Sequence, residues 1–598
     1  NMKKREEIES KFTWDLTPLC KDDKEFYQKI DKINDYLPKI KAFEGKLNNK
    51  KTILEYLKLD DEFSRFVEPL ALYAHLRSDE VLSDSTRQEM SEKLSNILDN
   101  ISVETSFVSS ELNKLSDSML DDIISDPNFK DYDRNFDYIK RNKKHKLSKG
   151  EEKLLSGMGF LSGFSSNMDM LADVDIKFGK VKDSNGKAYE LTQSNYSSLI
   201  RSSDRKLRKA VMTKLNGTFG QYINTLANNY INDVKADCYF AKVRKYKSAL
   251  DRELKSEEVD KKVYDMLIKQ VSKNLKILFK YFDIKKQLLG IKTFYIYDHM
   301  AEVGKETTKK YTYDEAIEII KKALSPLGDE YVKLIDRAKN ERWIDVYPSK
   351  DKASGAYETG VYGLHPYVMT NFEGDLDSVF TLAHELGHAM HTYFSCKNQP
   401  YAKAYYPIFL AEIASTTNEM LLINYLLSTS NSKEEKIALY NKLFDEVKGT
   451  IYRQTMFSEF EEKIHSLHEA GEPLTKDRLC GIYYVLNKKY FGETKLIDEI
   501  RYEWARIPHF FNAFYVFKYA TGMISAICFA NKILAKQENA VSDYIKFLSA
   551  GCSDNPIKTL QKSGCDLMQE KTFSSCFEYL QKMLKDLSLI HISEPTRH

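Results

Sequence analysis

Residues 379–394 read VFTLAHELGHAMHTYF, and the five at the centre, His384-Glu385-Leu386-Gly387-His388, decide how the rest of the chain is understood. In an α-helix, side chains four apart stand one turn above each other on one face, so both imidazoles reach a common point. Glu385 projects beside them. Two neutral nitrogens supply half of a tetrahedral zinc shell, and a carboxylate next to the first ligand can take a proton from an attacking water. Val379, Phe380, Leu382, Ala383, Leu386, Ala389 and Met390 surround the polar trio, so the segment reads as a buried helix. Unsatisfied polar groups there would cost on the order of 2 to 7 kcal/mol each, which argues that a metal or hydrogen bonds engage them.

A third protein ligand is needed. Between His391 and Ala411 there is no Asp, Glu or further His, and the soft ligand in that interval is Cys396. A second helical stretch then follows from Pro407, PIFLAEIASTTNEMLLINYLL, carrying Glu412 and Glu419. Seven residues apart, these share a helix face. Glu412 is the expected third ligand, and Glu419 the carboxylate expected to orient a ligating histidine. Leu410, Ala411, Ile413 and Ala414 flank Glu412, which predicts a position shielded from solvent. His391, three residues after His388, stands as the alternative ligand. Residues 391 and 394 are His and Phe where the metzincin pattern asks for Gly and His, and this excludes that class.

Apolar residues recur at helical spacing from Asp22 to about Asp126 and again from 200 to 340, predicting a mainly α protein with bundled amphipathic helices. Residues 174–192 change to an alternating period around Asn185-Gly186 and predict a β-hairpin. Short strands are expected again at 342–348 and 366–372, beside the metal helix. Between them, Gly355, Gly360 and Gly363 with Tyr357 and Tyr362 predict a mobile loop, or one that another backbone passes closely. The strand at 366–372 is expected to offer an open edge to an extended peptide. Farther on, 502–519 is crowded with aromatics, with His509 at the start of a helical run and Tyr515 and Tyr519 four apart on one face. By itself that pattern fits an aromatic core stripe. His465 and His468 receive no role.

Composition narrows the classes. The net charge is +2 with 90 Lys and Arg against 88 Asp and Glu, so nothing asks for nucleic acid or an anionic membrane. The most apolar run, Ala513–Ala530, contains Lys518 and reads as a core helix. Eight scattered cysteines without a C-x-x-C, behind a charged start with no apolar stretch, predict reduced thiols and a cytoplasmic setting. Asn1 ahead of Met2, and residues 588–598, SLIHISEPTRH, which break the helical pattern, are set aside as appended sequence, with His591 and His598.

HELGHAMHTYF followed by PIFLAEIASTTNE resembles the oligoendopeptidase F branch of the thimet oligopeptidase family of zinc metallopeptidases. FTWDLTPL near the start, SGAYETGVYGLHPYVMTNFEGDLDSVFTLAHE before the metal helix, ARIPHFFNAFYVFKYATG at 505–522 and FLSAGCSDNPIKTLQKSGCDL at 547–567 agree with it. The similarity runs from about residue 5 to 587. It implies two helical lobes around a deep substrate channel, an N-terminal lobe over 1–195 and a catalytic domain over 196–587. It further implies one zinc ion per chain and oligopeptide substrates cut at internal bonds. The glycine-rich stretch, with Gly355, Tyr357, Gly360 and Tyr362, becomes a substrate-covering loop, with His391 nearby. His509, Tyr515 and Tyr519 become donors facing the scissile carbonyl. Phe511 and Phe517 depart from the tyrosines expected in several relatives. A helical zinc carboxypeptidase shares the metal motif, and a peptide-binding scaffold would have no need of Glu385.

Overall fold

Apolar residues at three and four spacings with good N-caps become helix throughout. In the computed structural model, which describes residues 2–304 and 308–592, α1 (Lys50–Glu80) starts where the Asn49 side chain accepts from the Thr52 N–H, and α2 (Ser85–Glu104) where Asp84 accepts from Thr86. The hairpin forms, shorter than expected. Strands β1 (Lys180–Lys182) and β2 (Ala188–Glu190) pair antiparallel with Val181 opposite Tyr189, and Gly186 takes the left-handed φ of +83° that the turn requires. Met170–Asp175, where alternation was expected to begin, is instead a π-helical turn.

A small sheet then appears: β3 (Ile344–Asp345), β4 (Tyr357–Thr359) and β5 (Tyr367–Met369), in the order β3-β5-β4. β5 pairs parallel with β3 and antiparallel with β4. This corrects one expectation: β5 is the central strand with both edges occupied, and an open edge belongs to β4. Part of the expected loop is therefore strand. The helices that follow are α3 (Leu376–Asn398), the short α4 (Ile408–Ala411), α5 (Ile413–Thr429), α6 (Arg453–Glu469) and α7 (Phe517–Leu534). α7 covers most of the apolar run at 513–530, and among the described residues no helix is long and apolar enough to cross a membrane.

The chain forms two compact units, each assembled from separated stretches. The first comprises Asn1–Lys144, Thr308–Tyr425 and Lys532–Gly564; the second comprises His145–Thr307, Leu426–Asn531 and Cys565–His598. A boundary near 195 is a division of sequence, whereas these units interleave along it. In the first unit a core joins Trp14, Leu16, Phe26, Leu70, Tyr73 and Leu76 to Val361, Tyr367 and Met369, so the sheet rests on helices from the far N-terminal part of the chain. The last helix, Glu570–Ile592, continues through Ser588, past the expected break. Asn1 and residues 593–598 lie outside the described residues.

Candidate metal centre

Asp375 caps α3, its carboxylate accepting from the Ser378 N–H at 2.8 Å. The helix then carries His384 and His388 one turn apart, ring centroids 4.9 Å from each other and planes at 79°. Gly387 lets the next segment close on them. A Cβ built there would lie 2.7 Å from the Ala414 carbonyl oxygen and 2.7 Å from the Ser415 Cα, so only glycine admits this backbone. Asn418 locks the crossing, donating to the Ala383 carbonyl at 2.9 Å and accepting from the Tyr331 hydroxyl at 2.8 Å.

The expected single helix from Pro407 is broken at Glu412. α4 ends at Ala411, Glu412 has φ −89° and ψ −4°, and α5 restarts at Ile413. The interruption swings the Glu412 carboxylate towards the imidazoles. Its Oε2 lies 3.3 Å from His384 Nε2 and 3.4 Å from His388 Nε2, and accepts from the Ser415 hydroxyl at 3.0 Å. The expectation of a shielded residue fails here, because the Glu412 side chain is 52% exposed. The apolar neighbours are buried by the helices on either side of the break, while the residue at the break looks outward. Glu419 hydrogen-bonds His384 Nδ1 from the far side, leaving Nε2 turned towards Glu412.

One ligand atom from each of His384, His388 and Glu412 lies within 4.8 Å of the others, the spread of donors about a single cation, and two imidazole nitrogens with one carboxylate oxygen suit zinc. Without a cation, protons balance the charge. Burial opposes a charge on His384, but hydrogen bonds to Glu412 and Glu419 outweigh it and push the imidazole up to about 10. Partial withdrawal from water opposes ionisation of the half-exposed Glu412, yet the two imidazoles hold its carboxyl below the usual range. Glu385 is 7% exposed, and burial raises its pKa against the pull of His384 and His388.

His391 is not part of this cluster. It is 1% exposed, stacked on Tyr406 at 3.7 Å and packed against Phe547, which removes it both as an alternative ligand and as a residue open to substrate. The glycine-rich stretch is tethered. Tyr357 donates to Asp79 at 2.5 Å, and Tyr362 donates to the Gln399 carbonyl at 2.8 Å, so both hydroxyls anchor the segment to the unit's helices. Gly355 has φ +80° with open space around it, and Gly360 sits where a Cβ would come within 3.1 Å of Thr392 on α3.

One group escaped the sequence reading. Glu358, in the middle of β4, has an Oε1 that is buried with no hydrogen-bond partner among the described residues. Burial pushes its carboxyl up to about 7, opposed by His388 and a bond to Thr392 and reinforced by the charge of Glu385. Nothing in YETG signals this, because it follows from β4 lying against α3.

In the second unit, Pro508–Phe511 is a 3-10 turn, the chain reverses at Phe514 with φ +60°, and α7 begins only at Phe517, so Tyr515 precedes the expected helix. The buried Glu461 accepts from the Phe514 N–H at 3.1 Å and His465 packs on the Phe514 ring at 4.7 Å, supporting this left-handed residue. The rings still gather: His509 and Tyr519 centroids are 6.0 Å apart, Tyr515 and Tyr519 5.5 Å. Phe511 and Phe517 pack on Tyr230 and Tyr264, apolar surroundings that need no hydroxyl.

Residues 198–579 match the family described as peptidase family M3, and residues 111–178 match the one described as oligopeptidase F. The chain is 36% identical to oligopeptidase PepF of Bacillus subtilis (strain 168) over 587 residues, covering 98% of this chain and 88% of that one. It is 35% identical to the plasmid oligoendopeptidase F of Lactococcus lactis subsp. cremoris, covering 98% of each. Among solved structures, oligoendopeptidase-F from Enterococcus faecium matches with a TM-score of 0.71 at 31% identity, over 96% of this chain and all of that one. A protein from Chlamydophila abortus reaches 0.95 at 36% identity, over 99% of this chain and 100% of that one.

Proposed function

Because the chain belongs to peptidase family M3, and its oligopeptidase F relatives match it over nearly its whole length, we propose that it is a zinc-dependent endopeptidase hydrolysing internal bonds of short oligopeptides. The observation that carries this reading is the convergence of His384, His388 and Glu412 within 4.8 Å, with a buried Glu385 on the turn between the histidines. His384, His388 and Glu412 would hold one zinc ion, and Glu419 would keep His384 in the tautomer that presents Nε2. Zinc, when bound, supplies a Lewis acid that acidifies water and polarises a carbonyl.

The chain's own residues do the rest. Glu385 takes the proton of the attacking water and returns it to the leaving amine. His509, Tyr515 and Tyr519 are assigned as donors to the developing oxyanion. The outer edge of β4 is assigned to the backbone of an extended peptide, a recognition mode that reads main chain and leaves side chains largely free. Gly355, two residues before that strand, has open space around it and leaves room for the approach.

The test uses a peptide blocked at both ends with cleavage sites read by mass spectrometry. Internal cuts that vanish on chelation and return with zinc are expected. Failure to cut a blocked peptide, with release of C-terminal residues from an unblocked one, would replace this reading with the carboxypeptidase.

A further inference from the structure

Within the second unit lies a cavity of about 480 Å³ whose wall includes Arg201, Lys448, Arg453, Arg506, Asp445 and Glu503. No side chain of the metal centre lines it, nor do His509, Tyr515 or Tyr519. Its charges do not balance. Lys448 and the wholly buried Lys285 both donate to the His299 carbonyl at 2.7 Å and share one carboxylate, Asp445, at 3.1 and 3.3 Å. Arg453 and Arg506 share Glu503, at 3.0 and 3.6 Å. Arg201 forms no ion pair among the described residues. Four basic residues on the wall, Arg201, Lys448, Arg453 and Arg506, thus face two sheltered acids, with Lys285 buried behind them, and the other acid on the wall, Glu446, is exposed. Burial lowers both lysines, Lys285 to about 7, which leaves three guanidinium groups against two sheltered acids, and charges withdrawn from water need a counter-charge.

Two further features belong to residues of this wall. Arg506 Nε and His299 Nδ1 are buried with no hydrogen-bond partner among the described residues. Lys448–Tyr452 is a π-helical turn, whose i→i+5 bonding brings Lys448 and Arg453 to the same side where an α-helix would separate them. The remaining wall contains Leu278, Met300, Met456 and Phe491, and the volume falls in the range of small-molecule sites, about 300 to 1,000 Å³.

We propose that this cavity binds a small organic oxyanion, a carboxylate or phosphate head held by the guanidinium groups with an apolar body against the methionines and Phe491. Guanidinium forks match both heads. The head group and its source are separated by the experiment.

Calorimetry on the zinc-loaded full chain would titrate N-acetyl-phenylalanine, phenyl phosphate, and the amide of N-acetyl-phenylalanine. Saturable binding of the acid, the phosphate or both is expected, with none for the amide; whichever anion binds names the head. Arg201→Gln should weaken it by roughly tenfold or more, the loss of a charged hydrogen bond, with Arg201→Lys between the two. Binding should persist after zinc is chelated, and it is read independently of any peptidase activity. Absence of saturable binding by both anions, equal binding of the amide, or loss on chelation would overturn the proposal. So would unchanged affinity in an Arg201→Gln chain with native circular dichroism. If that variant does not fold, unchanged affinity in Arg201→Lys decides against it.

Discussion

At the scale of the residue, Glu385 and the two histidines occupy one helical turn but have different surroundings, and the difference divides their work. Each imidazole is held by a carboxylate from the neighbouring segment, whereas Glu385 is buried with its charge disfavoured. Glu385→Gln should retain zinc, measured by metal analysis, and lose hydrolysis by about a hundredfold to ten-thousandfold, the contribution of a general base. Unchanged turnover would remove Glu385 from the mechanism. Glu419 acts at one remove: Glu419→Ala should weaken zinc binding about ten- to a hundredfold in a chelator competition, since it frees His384 Nδ1. The metal-free chain has a pH signature of its own. His384 in the fold is raised from 6.5 to about 10, so its contribution to stability is complete below 6.5 and is lost as pH rises through about 10. His388 is raised as well and acts in the same sense. Thermal melts of chelator-treated protein should therefore fall across that window. Because a cation must displace these protons, the stabilisation added by zinc should grow over the same range. A metal-free chain that gains stability on going from pH 7 to 10 would contradict the assignment.

At the scale of the element, the crossing of α3 with α5 is set by Gly387. Alanine is the better helix former by about 1 kcal/mol, so on propensity alone Gly387→Ala would stabilise α3. A Cβ 2.7 Å from the Ala414 carbonyl instead forces the segments apart. The expected outcome is a net loss of roughly 1 to 3 kcal/mol in chemical denaturation, with weaker zinc binding because Glu412 moves with Ala414. A stabilised variant would show that the crossing is looser than described. Here the sequence was legible only in part. The histidine pair follows from helical period alone, and Glu419 was located from spacing. The break at Glu412, the exposure of that residue and the placement of Glu358 were not, because each depends on which segment packs against α3. The sheet teaches the same lesson. PYVMTNF reads as a strand, but whether it is central or an edge is decided by β3 and β4, whose short sequences carry little signal.

At the scale of the whole molecule, the metal centre's unit depends on the first residues of the chain. The Asp15 N–H donates to the Arg342 carbonyl at 2.8 Å, the Val346 N–H to the Phe12 carbonyl at 3.0 Å, and Arg5 pairs with Asp345 at 2.7 Å. Trp14 donates to Glu80 at 2.8 Å in a core that also holds Tyr367 and Met369. A fragment of residues 196–587, the catalytic domain that the resemblance implies, should not fold alone. It carries the metal motif but lacks the helices and extended segment that bury the sheet. Circular dichroism and zinc content of the fragment check this, and a folded, zinc-binding product would show that Asn1–Lys144 is dispensable to the site. What the amino-acid sequence determined unaided was whatever repeats over a few residues: helical content, the Asn185-Gly186 turn and the pair of imidazoles on one face. Local backbone geometry places those groups. Tertiary structure alone decided the rest, namely the Gly387 crossing, the seclusion of His391, the centrality of β5 and the unbalanced cations around Asp445 and Glu503. Each of these arises where segments distant in the chain meet, and no local periodicity encodes such a meeting.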